Sequence, residues 1–193
     1  MTCVVAYRMK GRGVIIVGDS QATDESFYYE VRKDPKVFKL GNIVFGISGS
    51  YRLRDLLMYE LKLPKRLHNE SIDKYMRVKL TEEIRKLFIE KGCIRIKDGE
   101  QESIGNILVG IKDRLFRIDG DFQVAEVVSD YDAIGCGDKL AYGALDMTRV
   151  TGYLDKMKRT PESITSLLNT VITLVANRSC GVNSKTVVET TIE

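Results

Sequence analysis

The sequence predicts an α+β fold in four layers, an αββα sandwich with two mainly antiparallel sheets between two pairs of helices. The opening apolar runs predict a hairpin, and such continuous apolar strands are typically buried on both faces. The predicted elements follow the order strands, two helices, strands, two helices and a final strand. Hairpins outnumber βαβ units among them. With 193 residues, 44% of them hydrophobic, the chain suits a single domain over 1–193.

The first half of the chain shows apolar runs separated by turn signals. The predicted strands are 2–7, 14–17, 36–40 and 42–47. Residues 10–13 (KGRG) make the first turn, and 23–29 predict a loop or a short strand.

Two helices follow these strands. Residues 53–61 carry a mostly apolar face at helical spacing, and Pro64 lies just past the end. Residues 71–91 repeat apolar side chains at i, i+3 and i+4, and Gly92 ends the helix. The polar stretch 97–102 (KDGEQE) predicts an exposed loop.

The second half repeats this order. The predicted strands are 106–112, 115–118, 124–128, 131–134 and 186–192, and the predicted helices are 138–149 and one that starts at Thr160 and Pro161. Threonine caps a helix and proline suits its first position, so this last start is well defined.

Composition excludes several classes of function. The net charge of +3, from 30 basic and 27 acidic residues, gives no footprint for nucleic acid. No apolar stretch is long enough for a membrane, and no secretion signal opens the chain, so we expect a cytoplasmic protein. The four cysteines form no CxxC pair and His68 is the only histidine, so we expect neither a zinc site nor histidine-based catalysis.

Thr2 is the remaining candidate for nucleophilic chemistry. Removal of Met1 would give Thr2 a free α-amino group with a pKa near 7.7–8.0. That amine acts as base for the hydroxyl of the same residue. The chemistry asks for a nearby lysine that favours the neutral amine and a carboxylate that holds the lysine. Asp19, at the end of the second strand, and Lys36, at the start of the third, are the candidates.

These residues lie in runs that resemble a known family. Residues 2–7 (TCVVAY) and 13–23 (GVIIVGDSQAT) are similar to the start of HslV and of proteasome β-subunits, the N-terminal-nucleophile (Ntn) threonine peptidases. Further similarity lies in 46–49 (GISG), in the hairpin 107–119 and in 133–137 (AIGCG). The resemblance extends from Thr2 to Ile192 and implies the Ntn-hydrolase fold.

The resemblance also implies a role for each site residue. Thr2 is the nucleophile, Lys36 tunes its amine, Asp19 holds Lys36, and the Gly49 N–H stabilises the oxyanion. Cys136 stands where the family has a serine that hydrogen-bonds near the terminal amine, and a thiol is a weaker partner.

One turn departs from the family pattern. Where relatives place acidic and hydroxyl residues or cation-binding carbonyls, the chain has 177–183 (NRSCGVN), without a carboxylate. The resemblance implies no required cofactor, with a structural Na⁺ held by the backbone of Asn177, Cys180 and Asn183.

Partners follow from the resemblance alone. It implies polypeptide substrates and a homo-oligomer, a hexameric or heptameric ring that stacks on a second ring. It also implies an ATP-dependent unfoldase ring as partner, since this chain has no nucleotide-binding motif. Nucleic acid and membrane are not expected.

Two other functions remain open at this point. The chain can be a catalytically inactive relative that keeps the fold for assembly or binding, which the change at Cys136 and the turn 177–183 favour. A different Ntn amidohydrolase acting on a small amide is the third possibility.

Overall fold

The computed structural model describes residues 1–24, 26 and 28–192. Of the predicted segment 23–29, residues 25 and 27 lie outside the described residues. The strands are β1 Val4–Met9, β2 Gly13–Asp19, β3 Gln21–Thr23, β4 Tyr29–Val31, β5 Val37–Leu40, β6 Ile43–Ile47, β7 Ile94–Lys97, β8 Glu100–Ser103, β9 Ile107–Ile111, β10 Arg114–Ile118, β11 Val124–Glu126, β12 Tyr131–Ile134 and β13 Thr186–Thr190. The helices are α1 Tyr51–Asp55, α2 Ile72–Lys74, α3 Thr81–Glu90, α4 Asp138–Val150, α5 Tyr153–Lys156 and α6 Pro161–Ala176.

Two antiparallel sheets form the centre of the fold, as predicted. The first has the order β12-β1-β2-β13, and the second has the order β11-β10-β9-β6-β5. The first sheet joins strands from both ends of the chain, since β1 pairs with β12 and β2 pairs with β13. The chain therefore brings its beginning beside residues 131–134 and 186–190.

Alternation along β1 explains the layers. Val4 and Ala6 point between the sheets, where they pack with residues such as Leu108 of the second sheet. Val5 and Tyr7 point the other way and pack under α4 and α6. Both faces of the strand are therefore buried, which the continuous apolar run predicts.

The other helix layer covers the second sheet. Phe38 and Phe45 stack with ring centroids 5.4 Å apart and belong to the same cluster as Leu53, Met76 and Phe88 of the covering helices. Together the layers make the four-layer αββα sandwich.

Two helical segments contain π-helical turns that the spacing does not predict. Leu56–Glu60 continues α1, and Tyr75–Leu80 joins α2 to α3. The last helix begins where predicted, since the side chain of Thr160 caps it and Ser163 reciprocates.

The expected loop at 97–102 is wrong. Residues 94–103 form the hairpin β7-β8, and its turn contains Asp98 and Gly99, both with positive φ. The segment is rich in charged residues and was therefore predicted as a loop, although Asp98-Gly99 is a typical hairpin turn between two short strands. The short helix α5 was also not predicted.

Of the helices described, none combines the length and the apolar character that crossing a membrane requires.

Candidate functional site

Thr2 lies buried at one end of the first sheet, just before β1. Val4 pairs with Gly18 on one side and with Ile134 on the other. The ends of β2 and β12 therefore flank Thr2, which puts Asp19 and Cys136 within reach.

Asp19 is wholly buried, and three donors satisfy its carboxylate. Oδ1 accepts from the Cys3 backbone N–H at 2.8 Å and from Lys36 Nζ at 2.8 Å. Oδ2 accepts from the Gln21 backbone N–H at 3.0 Å. This buried carboxylate is therefore both paired with a cation and hydrogen-bonded to the backbone.

Lys36 is buried as deeply, with 1% of its surface exposed. Besides Asp19, its Nζ donates to the Gln21 carbonyl at 2.5 Å and to the Met1 carbonyl at 3.3 Å. Burial lowers the pKa of Lys36, while the charge of Asp19 acts in the opposite direction. The ammonium thus spans from the carboxylate to the peptide bond before Thr2.

Thr2 forms hydrogen bonds with Met1 and with Cys136. Its Oγ1 donates to the Met1 carbonyl at 2.7 Å, and its backbone N–H donates to Cys136 Sγ at 3.3 Å. The Cys136 thiol donates in turn to the Thr2 carbonyl at 3.4 Å, which also accepts from the Gly137 N–H at 3.2 Å. The Thr2 nitrogen thus contacts the Cys136 thiol, and the Thr2 hydroxyl shares the Met1 carbonyl with Lys36 Nζ.

Gly135 allows this close approach. Its φ is +100°, and a Cβ there would lie 2.3 Å from the Thr2 carbonyl oxygen. A side chain at this position would push the turn before α4 away from Thr2.

Gly49 follows β6 in a turn that also demands glycine. Its φ is +101°, and a Cβ would lie 2.3 Å from the Ile104 carbonyl oxygen. The Ile47 N–H donates to the Lys36 carbonyl at 2.9 Å. Because Ile47 is bonded to the Lys36 backbone, Gly49, two residues further along the chain, follows the strand end that lies next to Lys36.

The turn 177–183 packs against β3 and the residue before it. The Cys180 carbonyl accepts from the Gln21 amide at 2.6 Å, and Asn183 Oδ1 accepts from the Ser20 N–H at 3.2 Å. Asn177 caps the end of α6. The structure thus brings Cys180 and Asn183 next to β3, with Asn177 at the start of the turn.

Among the described residues, no three acidic, cysteine or histidine side chains group together to hold a metal ion. His68 is exposed in the loop after residues 56–60.

Sequence reasoning missed several groups at this site. The Cys3 amide and the Gln21 amide and carbonyl complete the hydrogen bonds of Asp19 and Lys36. Their residue types carry no signal, because the contacts are made by the backbone. Adjacency to Thr2 and Asp19 was the only available indication.

A second polar group at the start of α1 also escaped prediction. Asp34 pairs with Arg32 and with the buried Arg54, both at 2.9 Å, and the Arg32 guanidinium lies over the Tyr51 ring. Burial, and next the charge of Asp19, raise the pKa of Tyr51 to about 12. The same two causes raise the pKa of Cys3 to about 12, so its thiol stays neutral at pH 7.

Comparison with known families gives a match over most of the chain. The family described as "Proteasome subunit" matches residues 2–190. Among curated proteins, no sequence matches this chain.

Solved structures with the same fold have low sequence identity. Thiobacillus denitrificans BPH in complex with epoxomicin superposes with a TM-score of 0.72 at 15% identity, covering 97% of each chain. The eukaryotic HslV from Trypanosoma brucei gives 0.64 at 20% identity, over 97% of this chain and 98% of that chain. Anbu from Yersinia bercovieri gives 0.68 at 16% identity, over 98% and 81%. At these identities the similarity establishes the fold.

Proposed function

The chain belongs to the proteasome subunit family, and from that premise we propose that it is a threonine-type endopeptidase with Thr2 as its N-terminal nucleophile once Met1 is removed. The observation that carries this proposal is the contact of Lys36 Nζ with the Met1 carbonyl, 3.3 Å away, while Asp19 holds the same ammonium at 2.8 Å. A buried cation thereby contacts the Met1–Thr2 peptide bond, whose cleavage would create the α-amine of Thr2.

Removal of Met1 changes the chemistry of Thr2. With Met1 in place, the Thr2 nitrogen is part of an amide, and the Thr2 hydroxyl donates to the Met1 carbonyl. Without Met1, the nitrogen becomes a primary amine with an ordinary pKa near 7.7–8.0. The ammonium of Lys36 disfavours a second positive charge beside it, so the amine stays neutral and basic near pH 7.

The proposed reaction is acyl transfer in two steps. The amine accepts the proton of Thr2 Oγ1 as this oxygen attacks the carbonyl carbon of a peptide bond. The Gly49 N–H stabilises the oxyanion, and the leaving amine takes the proton when the peptide bond breaks. Water then attacks the Thr2 ester, which releases the acid and restores the hydroxyl.

Cys136 takes the place of an orienting hydroxyl in this proposal. Its Sγ lies 3.3 Å from the Thr2 nitrogen, within the range of a hydrogen bond to sulfur. Because a thiol binds an amine more weakly than a hydroxyl does, it orients the amine less firmly. Activity therefore depends chiefly on Lys36 and Asp19.

Assembly is part of the proposal. Members of the family typically form rings, and we propose that this chain forms a hexameric or heptameric ring that encloses the sites, stacks on a second ring and receives polypeptides from an ATP-driven unfoldase. We place it in the cytoplasm, where its free cysteines stay reduced.

No cofactor takes part in the proposed reaction. A structural Na⁺ at the carbonyls of Asn177, Cys180 and Asn183 is an accompanying proposal. Three carbonyl oxygens suit such an ion, and the Cys180 carbonyl would share its oxygen with the Gln21 amide.

The test compares the purified native chain with Thr2→Ala and Thr2→Ser. We expect intact mass spectrometry to show loss of Met1, and the mature chain to cleave fluorogenic peptides. Thr2→Ala should lower turnover by at least about 10³-fold, and Thr2→Ser should keep part of it. Epoxomicin, the ligand in the Thiobacillus denitrificans structure, should inhibit the wild type.

Two results would contradict this function. A chain that keeps Met1 in its own host, or turnover equal to that of Thr2→Ala, would favour the inactive assembly protein instead. Light scattering tests the ring separately, because a stable species of 21.8 kDa, the mass of one chain, would exclude it.

A further inference from the structure

Two of the four cysteines are exposed, and one of these two contacts Thr2. Cys3 and Cys93 are buried, whereas Cys136 and Cys180 are exposed. Burial raises the pKa of Cys3 to about 12, so this thiol stays neutral and out of contact with solvent. Of the two thiols next to Thr2, Cys136 is therefore the one that a reagent dissolved in water can reach.

The Cys136 sulfur and the Thr2 nitrogen form a pair in direct contact. Sγ lies 3.3 Å from the nitrogen and 3.4 Å from the Thr2 carbonyl oxygen. The Gly137 N–H binds the same carbonyl at 3.2 Å, and the positive φ of Gly135 lets the turn approach this closely. The backbone of the turn before α4 thus holds the thiol against the nitrogen.

Removal of Met1 changes both the nitrogen and its surroundings. The Met1 side chain packs against Gly181, since a Cβ on that glycine would lie 2.2 Å from Met1 Cβ. Without Met1, the nitrogen is uncovered on that side and is a primary amine at the free end of the chain. A thiol and an amine then face each other, and the amine is free to move towards the sulfur.

Oxidation can join these two groups. A cysteine sulfenic acid condenses with a nearby thiol to a disulfide, or with a nearby nitrogen to a sulfenamide. The nitrogen of Thr2 is in contact with Sγ, and the Ser179 hydroxyl lies 4.0 Å from it. Cys180 follows Ser179 in the chain and is exposed, so its thiol is the competitor for the oxidised sulfur.

We propose that Cys136 is a redox modification site at which hydrogen peroxide links its sulfur to the α-amine of Thr2 through a reversible sulfur–nitrogen bond. Peroxide oxidises the thiol to a sulfenic acid and is reduced to water. The lone pair of the amine then attacks the sulfur, and the hydroxide of the sulfenic acid leaves with one amine proton as a second water. Cys136 loses two electrons, and one peroxide gives two molecules of water.

The linkage would switch the peptidase off reversibly. The amine is the proposed base, and its lone pair forms the new bond instead of accepting the proton of Thr2 Oγ1. A cellular thiol reverses the reaction by attacking the Cys136 sulfur, which releases the amine, and a second thiol reduces the mixed disulfide. A serine at position 136 has no such chemistry, which gives the cysteine a function beyond orientation. This inference rests on the removal of Met1 in the proposed function.

Hydrogen peroxide added to the mature native chain tests the linkage. We expect intact mass spectrometry to show a product lighter than the reduced chain by two hydrogen atoms. Peptide mapping should join the N-terminal peptide to the peptide that contains Cys136. Turnover of a fluorogenic peptide should fall at least about tenfold, and excess dithiothreitol should restore it to within about twofold of the untreated value.

Cys136→Ser is the critical variant, and Cys180→Ser is its matched control at the other exposed cysteine. The activity of each variant is compared with that of the same variant before peroxide, because residue 136 contacts the reacting nitrogen. Cys136→Ser should lose less than about twofold of its activity and give no lighter product. Cys180→Ser should respond as the wild type does, and circular dichroism checks that both variants are folded.

Three results would overturn the proposal. They are a stable product at Cys136 that has only gained oxygen atoms, a lighter product that disappears in Cys180→Ser, and full peroxide inhibition of Cys136→Ser. Met1 loss and turnover are both measured before peroxide is added, so the proposed function is judged separately. An active chain that forms no linkage excludes the linkage alone, whereas a chain that keeps Met1 contradicts the proposed function as well.

Discussion

Asp19 and Asp132 are both buried carboxyl groups of the first sheet, yet their surroundings differ. Asp19 faces Lys36, an equally buried cation, and two backbone N–H groups. Asp132 accepts from the hydroxyl of Tyr142 and from the Ala133 N–H at 2.7 Å, and its cation, Arg117, lies 3.7 Å away.

The partners also differ in what else they contact. Lys36 has no second carboxylate among its hydrogen-bond acceptors in the described chain, and its other two bonds end on the backbone carbonyls of Gln21 and of Met1, the residue before Thr2. Arg117 binds Asp119 at 2.6 Å, so it keeps a partner without Asp132. Burial therefore does not by itself mark a functional site. Under the proposed function, the distinguishing feature is a buried cation whose donors reach the peptide bond before Thr2.

The largest expected effect separates the two carboxyl groups directly. Asp19→Asn leaves the Lys36 ammonium buried without its counter-charge, so we expect it to lower the free energy of unfolding by about 3–5 kcal/mol. Asp132→Asn strands no cation and should cost about 1 kcal/mol. Urea denaturation at pH 7 measures both, and equal losses would contradict the comparison.

Sequence patterns predicted most of the fold because β1 and β2 each contain a continuous apolar run and α6 carries clear cap residues. The hairpin β7-β8 was missed because only Ile94 and Ile96 alternate with charged residues in β7, and the four residues of β8 include no apolar one. Its stability comes from backbone pairing and from the turn.

The site was only partly predictable for a physical reason. Thr2, Asp19 and Lys36 have residue types that chemistry and family resemblance select. The comparison group outside the site was not predictable at all, because Arg117, Asp132 and Tyr142 come from three separate elements and nothing in their spacing indicates that they meet. Only the folded sheet brings them together.

Coupling energies should sharpen the comparison further. In a double-mutant cycle, Asp19→Asn with Lys36→Met should cost less than the sum of the single variants by about 1–3 kcal/mol, because each single change strands a buried partner. The matched cycle of Asp132→Asn with Arg117→Met should give about 0.5 kcal/mol or less. Comparable coupling in the two cycles would mean that Arg117 acts on Asp132 as Lys36 does on Asp19.

The smallest effect is a difference in pH dependence between the two regions. Burial raises the pKa of Asp132 above its usual value, against the lowering effect of the Tyr142 hydroxyl. The folded state then binds a proton more tightly than the unfolded state, so stability from this group is full at acid pH and falls as the pH rises through the folded pKa. Lys36 has the opposite sign, because burial lowers its pKa. The unfolded state keeps the lysine proton to higher pH, so stability from Lys36 rises with pH through its folded pKa.

Denaturation of Asp132→Asn beside the wild type from about pH 4 to about pH 7 isolates the first of these effects, since all other carboxyl groups are common to both chains. We expect the wild type to lose stability relative to the variant as the pH rises, by an amount that denaturation resolves because one pKa unit corresponds to about 1.4 kcal/mol. A difference that is constant with pH would mean that Tyr142 and Ala133 fully compensate the burial of Asp132. The hydrogen bonds of this carboxyl group would then be as effective as the ion pair of Asp19, and the distinction between the two regions would rest on the position of Lys36 beside Thr2 alone.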